Sequence, residues 1–299
     1  MLAGIRDYFA DTGALEVETP ILSAGATLDR WIDSFHAPGG GWLQTSPEFA
    51  MKRLLASGSG DIYQVARVFR VDEAGAQHNP EFTMLEWYRL DWDHQQLMGE
   101  VQALIQQLGG PTGDYPRFSY AEAFARARLP DPHTASVAQL VEQLRQRGDS
   151  VPETLAETEE ERDSWLQLLL DTLVLPEMPK KQPWFLHAFP ASQAALARVT
   201  PGPPACASRF ELIWDGLELA NGFHELNDMD EQAARFAGER GWRAEHQRVQ
   251  PPADLHLIQA LEHGLPDCAG VAMGLDRLLM RLTGARHIDQ VLAFPHARA

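Results

Sequence analysis

Two runs of alternating side chains do most to limit what this chain folds into. Residues 61–71 and 81–91 both alternate apolar and polar positions and are rich in β-branched and aromatic side chains, which is the pattern of strands. Between them lies a polar loop, residues 72–80. The simplest arrangement is an antiparallel pair joined by a long loop. On the second strand, alternation puts Phe82, Met84, Glu86 and Tyr88 on one face, beside Arg70 from the first. A ring, a carboxylate and a phenol next to an arginine do not make a dry core. They form either a solvated face with satisfied ion pairs or one wall of a site, and alternation alone favours the solvated face.

The other elements follow from period and caps. Residues 1–13 read as an amphipathic helix through Leu2, Ile5 and Phe9. An extended stretch, Leu15-Glu16-Val17-Glu18-Thr19-Pro20, leads to a loop that ends at Gly39-Gly40-Gly41. Ser46 and Pro47 suit the start of a helix running to Ser57, the serine as acceptor for an orphan N–H and the proline at the first helical position. Residues 93–198 are mostly helical in pattern, with Leu97, Val101, Leu104 and Leu108 on one face. Thr158 and Glu161 predict a capping box before Trp165, Leu168 and Leu169. Strand patterns return at 184–189 and 209–220, helices at 229–248 and 253–264, a strand at 267–273, and a helix opening at Gly274. Strands and helices do not alternate regularly. The expected fold is therefore α+β, a mostly antiparallel sheet flanked by helices.

Composition narrows the function. The chain has 299 residues and a formal charge of -17, from 42 acidic against 25 basic groups. Proteins that grip nucleic acid present basic surfaces, because phosphate neutralisation supplies most of their non-specific affinity. Extended contact with tRNA is therefore not expected, and a protein partner suits the charge better. The two cysteines, Cys206 and Cys268, have no metal-binding spacing and build no disulfide framework. No apolar run approaches a membrane span and no signal peptide is visible, so the expected location is cytoplasmic.

Two further clusters carry polar chemistry. Glu211 and Glu218 lie seven apart, and on a simple hairpin both flank one site. Paired carboxylates without cysteine or several histidines suit a hard cation such as Mg²⁺; the bland alternative is a strand with acids facing water. Gly270-Val271-Ala272-Met273-Gly274 runs into a helix start carrying Asp276 and Arg277, where backbone and cation would approach a ligand closely. The alternative there is a small-residue strand packed on a helix. Neither cluster decides alone.

Together they resemble a known family. With Glu16-Val17-Glu18-Thr19-Pro20, the clusters are similar to the three signature motifs of class II aminoacyl-tRNA synthetases. The details resemble the lysyl enzymes: Thr45-Ser46-Pro47-Glu48, then His78-Asn79-Pro80-Glu81-Phe82-Thr83-Met84-Leu85-Glu86-Trp87-Tyr88, and Asn221-Gly222-Phe223-His224-Glu225-Leu226-Asn227-Asp228. The resemblance spans essentially the whole chain, without the N-terminal anticodon-binding barrel. It closely resembles the elongation factor P–(R)-β-lysine ligase family, to which residues 80–89 and Phe189-Pro190-Ala191-Ser192-Gln193-Ala194 are especially similar.

The resemblance implies the class II synthetase fold over 1–299 as one catalytic domain, with a mainly helical insertion at about 93–198, and a homodimer formed through the first helix and residues 16–20. It implies ATP and Mg²⁺, β-lysine as substrate and elongation factor P as acceptor. Arg70 and Arg277 would be catalytic, gripping the α-phosphate and the γ-phosphate end. Val71, Asp72, His78, Asn79, Phe82, Glu218, Leu219 and Gly274 would complete the ATP site, with Phe82 stacking on adenine. Glu211 and Glu218 would hold Mg²⁺. Ser46, Pro47, Glu48, Glu86, Tyr88, Asn221 and Glu225 would form the amino-acid pocket, with Glu225 and Tyr88 on the side-chain ammonium. Two positions depart from the synthetase pattern: Val71-Asp72 replaces Asn-Glu, and Ala272 stands where lysyl enzymes carry glycine. The added methyl would turn the pocket away from α-lysine. The rival readings are a lysyl-tRNA synthetase core acting on α-lysine, a non-catalytic amino-acid sensor and a ligase acting on another small molecule. The sensor would be expected to have lost Arg70, Arg277, Glu211 or Glu218, and all are present.

Overall fold

The computed structural model describes residues 1–299. In chain order it begins α1 (Leu2–Asp11), β1 (Leu15–Glu16), β2 (Leu22–Ser23), β3 (Trp42–Leu43), α2 (Glu48–Ala56), β4 (Ile62–Phe69), β5 (Glu81–Leu90) and α3 (His94–Gln107). There follow β6 (Arg117–Ser119), α4 (Tyr120–Arg126), α5 (Val137–Arg147), α6 (Arg162–Leu169), β7 (Trp184–Pro190), β8 (Val199–Thr200) and β9 (Cys206–Trp214). The chain closes with β10 (Leu217–His224), α7 (Met229–Glu245), α8 (Leu255–His263), β11 (Cys268–Gly274) and α9 (Leu275–Thr283). It divides into two compact units, Met1–Thr112 with Leu219–Ala299, and Gly113–Glu218.

In the first unit the expected strand pair is present. β4 and β5 run antiparallel, with Phe69 opposite Glu81 and Ile62 opposite Tyr88. β1 pairs in parallel with β4, β11 antiparallel with β5, and β10 antiparallel with β11. Helices cover both faces. On one, Phe9 of α1 stacks on Tyr63 with centroids 4.3 Å apart and meets Trp87 edge-on at 5.5 Å. The Trp87 indole N–H donates to Glu100 of α3 at 2.9 Å, so the buried polar end of the ring is satisfied. Burying a side chain the size of Phe9 contributes about 1.5–3 kcal/mol. On the other face, α2 and α8 pack Met51, Leu55, Leu257 and Leu261 against Ile62 and Tyr88. That cover closes the Tyr88 end of the face that alternation had singled out. Phe82, at its other end, stays half-buried.

Arg89 alternates to the opposite face from Tyr88 and is 2% exposed. Its guanidinium bonds Glu100 of α3 at 2.5 Å and Asp61 at 3.2 Å. α2 starts one residue later than expected, at Glu48, and the Ser46 hydroxyl accepts the Glu48 N–H at 3.0 Å.

In the second unit β7 pairs in parallel with β6 and antiparallel with β9, and β8 pairs antiparallel with β9. The register slips between His187 and Phe189, where Ala188 takes a φ of 53°, a bulge in β7. One expectation fails here. The capping box of Thr158 and Glu161 does not form; Thr158 makes no side-chain cap, and Glu161 instead accepts the Ser164 hydroxyl at 2.7 Å. Ser119 with Glu122, and Ser136 with Gln139, make that motif instead. The strand pattern at 209–220 turns between Glu211 and Glu218, at Asp215 and Gly216, whose φ values of 52° and 71° make a tight turn. Asp-Gly is the dipeptide that accepts two positive φ values, and it outweighed the alternation on either side. No helix is long and apolar enough to cross a membrane.

Candidate active site

The first cluster of the first unit is built on α2, β5 and β11. α2 sets Glu48 and Lys52 one turn apart, the spacing at which side chains on a helix meet. Lys52 is 2% exposed, with its Nζ 2.7 Å from Glu48 Oε1 and 2.6 Å from Oε2 of Glu225, which is 1% exposed. β5 turns Glu86 and Tyr88 to the same side. The Tyr88 hydroxyl donates to Glu86 Oε1 at 2.7 Å, and the Ser46 hydroxyl donates to Oε2 at 2.6 Å. Gly270 of β11, opposite Tyr88, closes the pocket: a Cβ there would lie 2.2 Å from the Tyr88 ring and 2.5 Å from Glu225 Oε1.

The electrostatics follow from burial. Removal from water and then the Glu48 charge push the Glu86 carboxyl up to about 8, against the pull of the Ser46 and Tyr88 hydroxyls. Burial, then Glu86, Glu48 and Glu225, raise the Tyr88 phenol well above its ordinary value. For Lys52, burial works against the charge, but Glu225 and Glu48 outweigh it and hold the ammonium above its ordinary pKa. Acids in excess of cations, in a closed space with a phenol, are chemistry for binding ammonium groups.

The second cluster lies where β4 ends. Arg70 spreads over the Phe82 ring, Cζ to centroid 5.2 Å, and pairs with Glu73 at 3.6 Å. The Val71 N–H donates to Asp33 O at 2.9 Å, and Asp72 then takes a φ of 62°. A positive φ is unusual for a residue with a side chain, and the Val71 bond helps hold the turn in place. Arg277, in the first turn of α9, donates to Gln77 O at 3.2 Å and contacts the His78 imidazole. Asp276 accepts the Thr83 N–H at 2.7 Å and so ties α9 to β5. Arg70 at the start of the loop and Arg277 reaching it from α9, beside a half-exposed ring, are suited to a phosphate chain and a base.

In the second unit, Glu211 on β9 and Glu218 beyond the Asp215-Gly216 turn are electrostatic neighbours. Burial and then Glu218 push Glu211 up to about 7, while Arg209, 2.6 Å away, pulls it down. No group of three or more metal-ligating side chains occurs in the chain. An oxygen-only pair whose mutual repulsion a cation would relieve fits Mg²⁺, which keeps several waters and takes few protein ligands.

The comparisons with known proteins agree with one another. The family described as tRNA synthetases class II (D, K and N) matches residues 1–298. The chain belongs to that family. Its class II relatives include the elongation factor P–(R)-β-lysine ligase of Vibrio cholerae, 47% identical over 313 residues, covering 100% of this chain and 94% of the relative. The enzyme of that name from Yersinia enterocolitica is 47% identical over 308 residues, with 100% and 94% covered. That from Vibrio vulnificus is 46% identical over 304 residues, with 99% and 93% covered. The chain is a ligase of the class II synthetase fold.

Within that fold the expected residues fall into groups. Ser46, Glu48, Glu86, Tyr88 and Glu225 gather in the carboxylate pocket, with Pro47 at the mouth of α2. Asn221 lies opposite Ala272, which lies opposite Glu86, so the methyl of Ala272 stands in the strand between them. Arg70, Phe82, His78 and Arg277 gather at the loop. Asn79 is turned inward: its amide donates to Glu81 O at 2.6 Å and accepts the His296 N–H at 2.9 Å, so it braces the loop. Leu219 is 2% exposed and Gly274 caps α9, where a Cβ would meet only Arg277 atoms at 3.8 Å or more. Glu225 has an ammonium partner within the chain, Lys52. Lys52 was not singled out in the sequence, and Gly270 was noted there only within a run of small residues. The signal for Lys52 was the Glu48-to-Lys52 spacing on an expected helix.

Proposed function

We propose that this chain activates (R)-β-lysine with ATP as an aminoacyl-adenylate and transfers it to a lysine side chain of elongation factor P. The observation that carries the reading is the carboxylate pocket of Glu48, Glu86, Tyr88 and Glu225, two of whose members, Glu86 and Tyr88, lie on the same strand, β5, that supports Phe82 under Arg70. The names of the relatives support the same substrate and acceptor.

In the first step the substrate carboxylate attacks the α-phosphorus of ATP and pyrophosphate leaves. A carboxylate is already a nucleophile, so positioning and charge stabilisation carry the acceleration. The carboxylate pocket holds the ammonium groups, and Arg70 opposes the charge that grows on the α-phosphate. Phe82 offers a face to adenine, Asp72 and the loop through His78 and Asn79 frame the nucleotide, and Arg277 meets the γ-phosphate end. Glu211 and Glu218 would hold Mg²⁺, which supplies positive charge to the phosphates. In the second step the neutral amine of the acceptor lysine attacks the adenylate carbonyl, forming an amide and releasing AMP.

The enzyme would work in the cytoplasm as one catalytic domain and as a homodimer. Exposed Leu2, Leu15, Ile21 and Leu22 support α1 and the stretch after it as the dimer contact. The family description keeps α-lysine and tRNA as the second reading. Incubation with ATP and each lysine isomer, offering elongation factor P and tRNA in parallel, tests both: amide-linked β-lysine on the protein supports the first, and aminoacylated tRNA the second.

A further inference from the structure

The carboxylate pocket contains a cation that the substrate contacts do not require. Lys52 is not a surface lysine folded over. It is 2% exposed, and its ammonium sits between Glu48 and Glu225 at 2.7 and 2.6 Å. Its neighbours hold it charged, so it is a permanent feature of the pocket. Glu86, 2% exposed, adds a third carboxylate within electrostatic reach of the other two. With all three acids ionised, Glu48, Glu86 and Glu225 less Lys52 leave two negative charges.

We infer that Lys52 is a positioning and specificity residue that sets the pocket's charge, so that a substrate with two ammonium groups neutralises it and a substrate with one does not. The inference rests on the amino-acid-activating reading above and assigns Lys52 a role within it. Geometry gives the lysine a second task. By taking Glu48 Oε1 and Glu225 Oε2 it fixes both carboxylates, and the other oxygen of Glu225 is turned toward Tyr88 and the Gly270 backbone. The ammonium acceptors are therefore ordered before the substrate arrives, which lowers the cost of binding. In the empty pocket Glu86 keeps its proton and relieves part of the surplus charge. The second ammonium removes the need for that proton. A one-ammonium ligand would leave Glu86 either holding its proton, without the charge-assisted contact of the second ammonium, or buried as an unpaired carboxylate, and this is the asymmetry by which polar pockets reject an analogue lacking one group.

The test compares (R)-β-lysine with (R)-3-aminohexanoate, the same β-amino acid without its second ammonium. Binding of each to the full-length protein is measured by calorimetry, and activation by ATP–pyrophosphate exchange. Lys52→Met raises the pocket charge to minus three and should weaken β-lysine binding at least about tenfold, while the KM for ATP stays within about twofold. Lys52→Met combined with Glu225→Gln restores minus two and should recover most of that loss. Glu225→Gln alone gives minus one and should move the preference toward 3-aminohexanoate by about tenfold. A purely structural role predicts the reverse, with the double variant as poor as Lys52→Met or poorer. That result, or an unchanged preference in Glu225→Gln, overturns the inference. If Lys52→Met fails to fold, the preference of Glu225→Gln decides. Calorimetry needs no turnover, so a wild-type protein that binds β-lysine yet exchanges no pyrophosphate sinks the activation reading and leaves the charge count standing or falling on its own.

Discussion

The Asp276 carboxylate accepts the backbone N–H of Thr83 at 2.7 Å, and this bond joins the helix that bears Arg277 to the strand that bears Phe82, Glu86 and Tyr88. A buried carboxylate on a backbone N–H makes one of the stronger hydrogen bonds in a fold. Burial pushes the Asp276 carboxyl upward while the Thr83 N–H pulls it back. Asp276→Ala should therefore cost about 1.5–3 kcal/mol of stability. It should also raise the KM for ATP more than the KM for the amino acid, because Arg277 loses its bearing. Denaturant titration and pyrophosphate exchange check the two effects.

Arg70 should be indispensable to the first step. Arg70→Ala should lower the pyrophosphate exchange rate by at least about 100-fold, the scale of losing a transition-state charge donor. The melting temperature should barely move, because Arg70 holds only a 3.6 Å pair with Glu73 and the Phe82 ring. Near-normal exchange would refute its role.

Gly270→Ala should close the amino-acid pocket. A Cβ at 2.2 Å from the Tyr88 ring and 2.5 Å from Glu225 Oε1 has to displace one of them, and both are buried. Calorimetry should find β-lysine binding lost while ATP still binds.

Glu86 should make the empty enzyme lose stability as the pH rises. Its carboxyl is raised from the ordinary 4.5 to about 8, so the folded chain keeps a proton that the unfolded chain releases above about 4.5. The unfolded state then binds fewer protons, and stability falls as the pH climbs from there toward 8. Glu86→Gln cannot ionise. Its melting temperature should exceed that of the wild type by a margin that grows between about pH 5 and pH 8, although β-lysine binding weakens. Parallel melting curves across that range measure the margin.

Ala272 should bias the choice of lysine isomer. Its methyl stands between Glu86 and Asn221 in the strand order, where lysyl enzymes are expected to carry glycine. Ala272→Gly should shift the exchange preference from β-lysine toward α-lysine, and an unchanged preference would count against this account.

Much of this was legible in the sequence because period and motif agreed. The 61–71 and 81–91 runs appear as β4 and β5 with Phe69 opposite Glu81, and the face bearing Phe82, Glu86 and Tyr88 is the one that carries the carboxylate pocket. The hairpin of Glu211 and Glu218 was readable, but its turn was not placed, because alternation continues on both sides of Asp215-Gly216 and the turn is encoded in those two residues. The cap expected at Thr158 did not form, and Glu161 accepts the Ser164 hydroxyl instead. Lys52 was invisible for another reason. A lysine on an amphipathic helix ordinarily faces water, and only the return of Glu225 from a distant part of the chain makes burial affordable. Gly270 was noted as one of several small residues, and nothing local says that two pocket side chains press against its backbone.

The most direct test is the transfer itself. The protein is incubated with ATP, Mg²⁺, (R)-β-lysine, unmodified elongation factor P and tRNA, and the protein acceptor is weighed intact by mass spectrometry and then mapped by peptide fragmentation. The expected result is a gain equal to one β-lysine less one water, on a single lysine side chain, abolished by Arg70→Ala. An acceptor of unchanged mass, with the amino acid recovered instead as an ester on tRNA or not activated at all, would contradict the account.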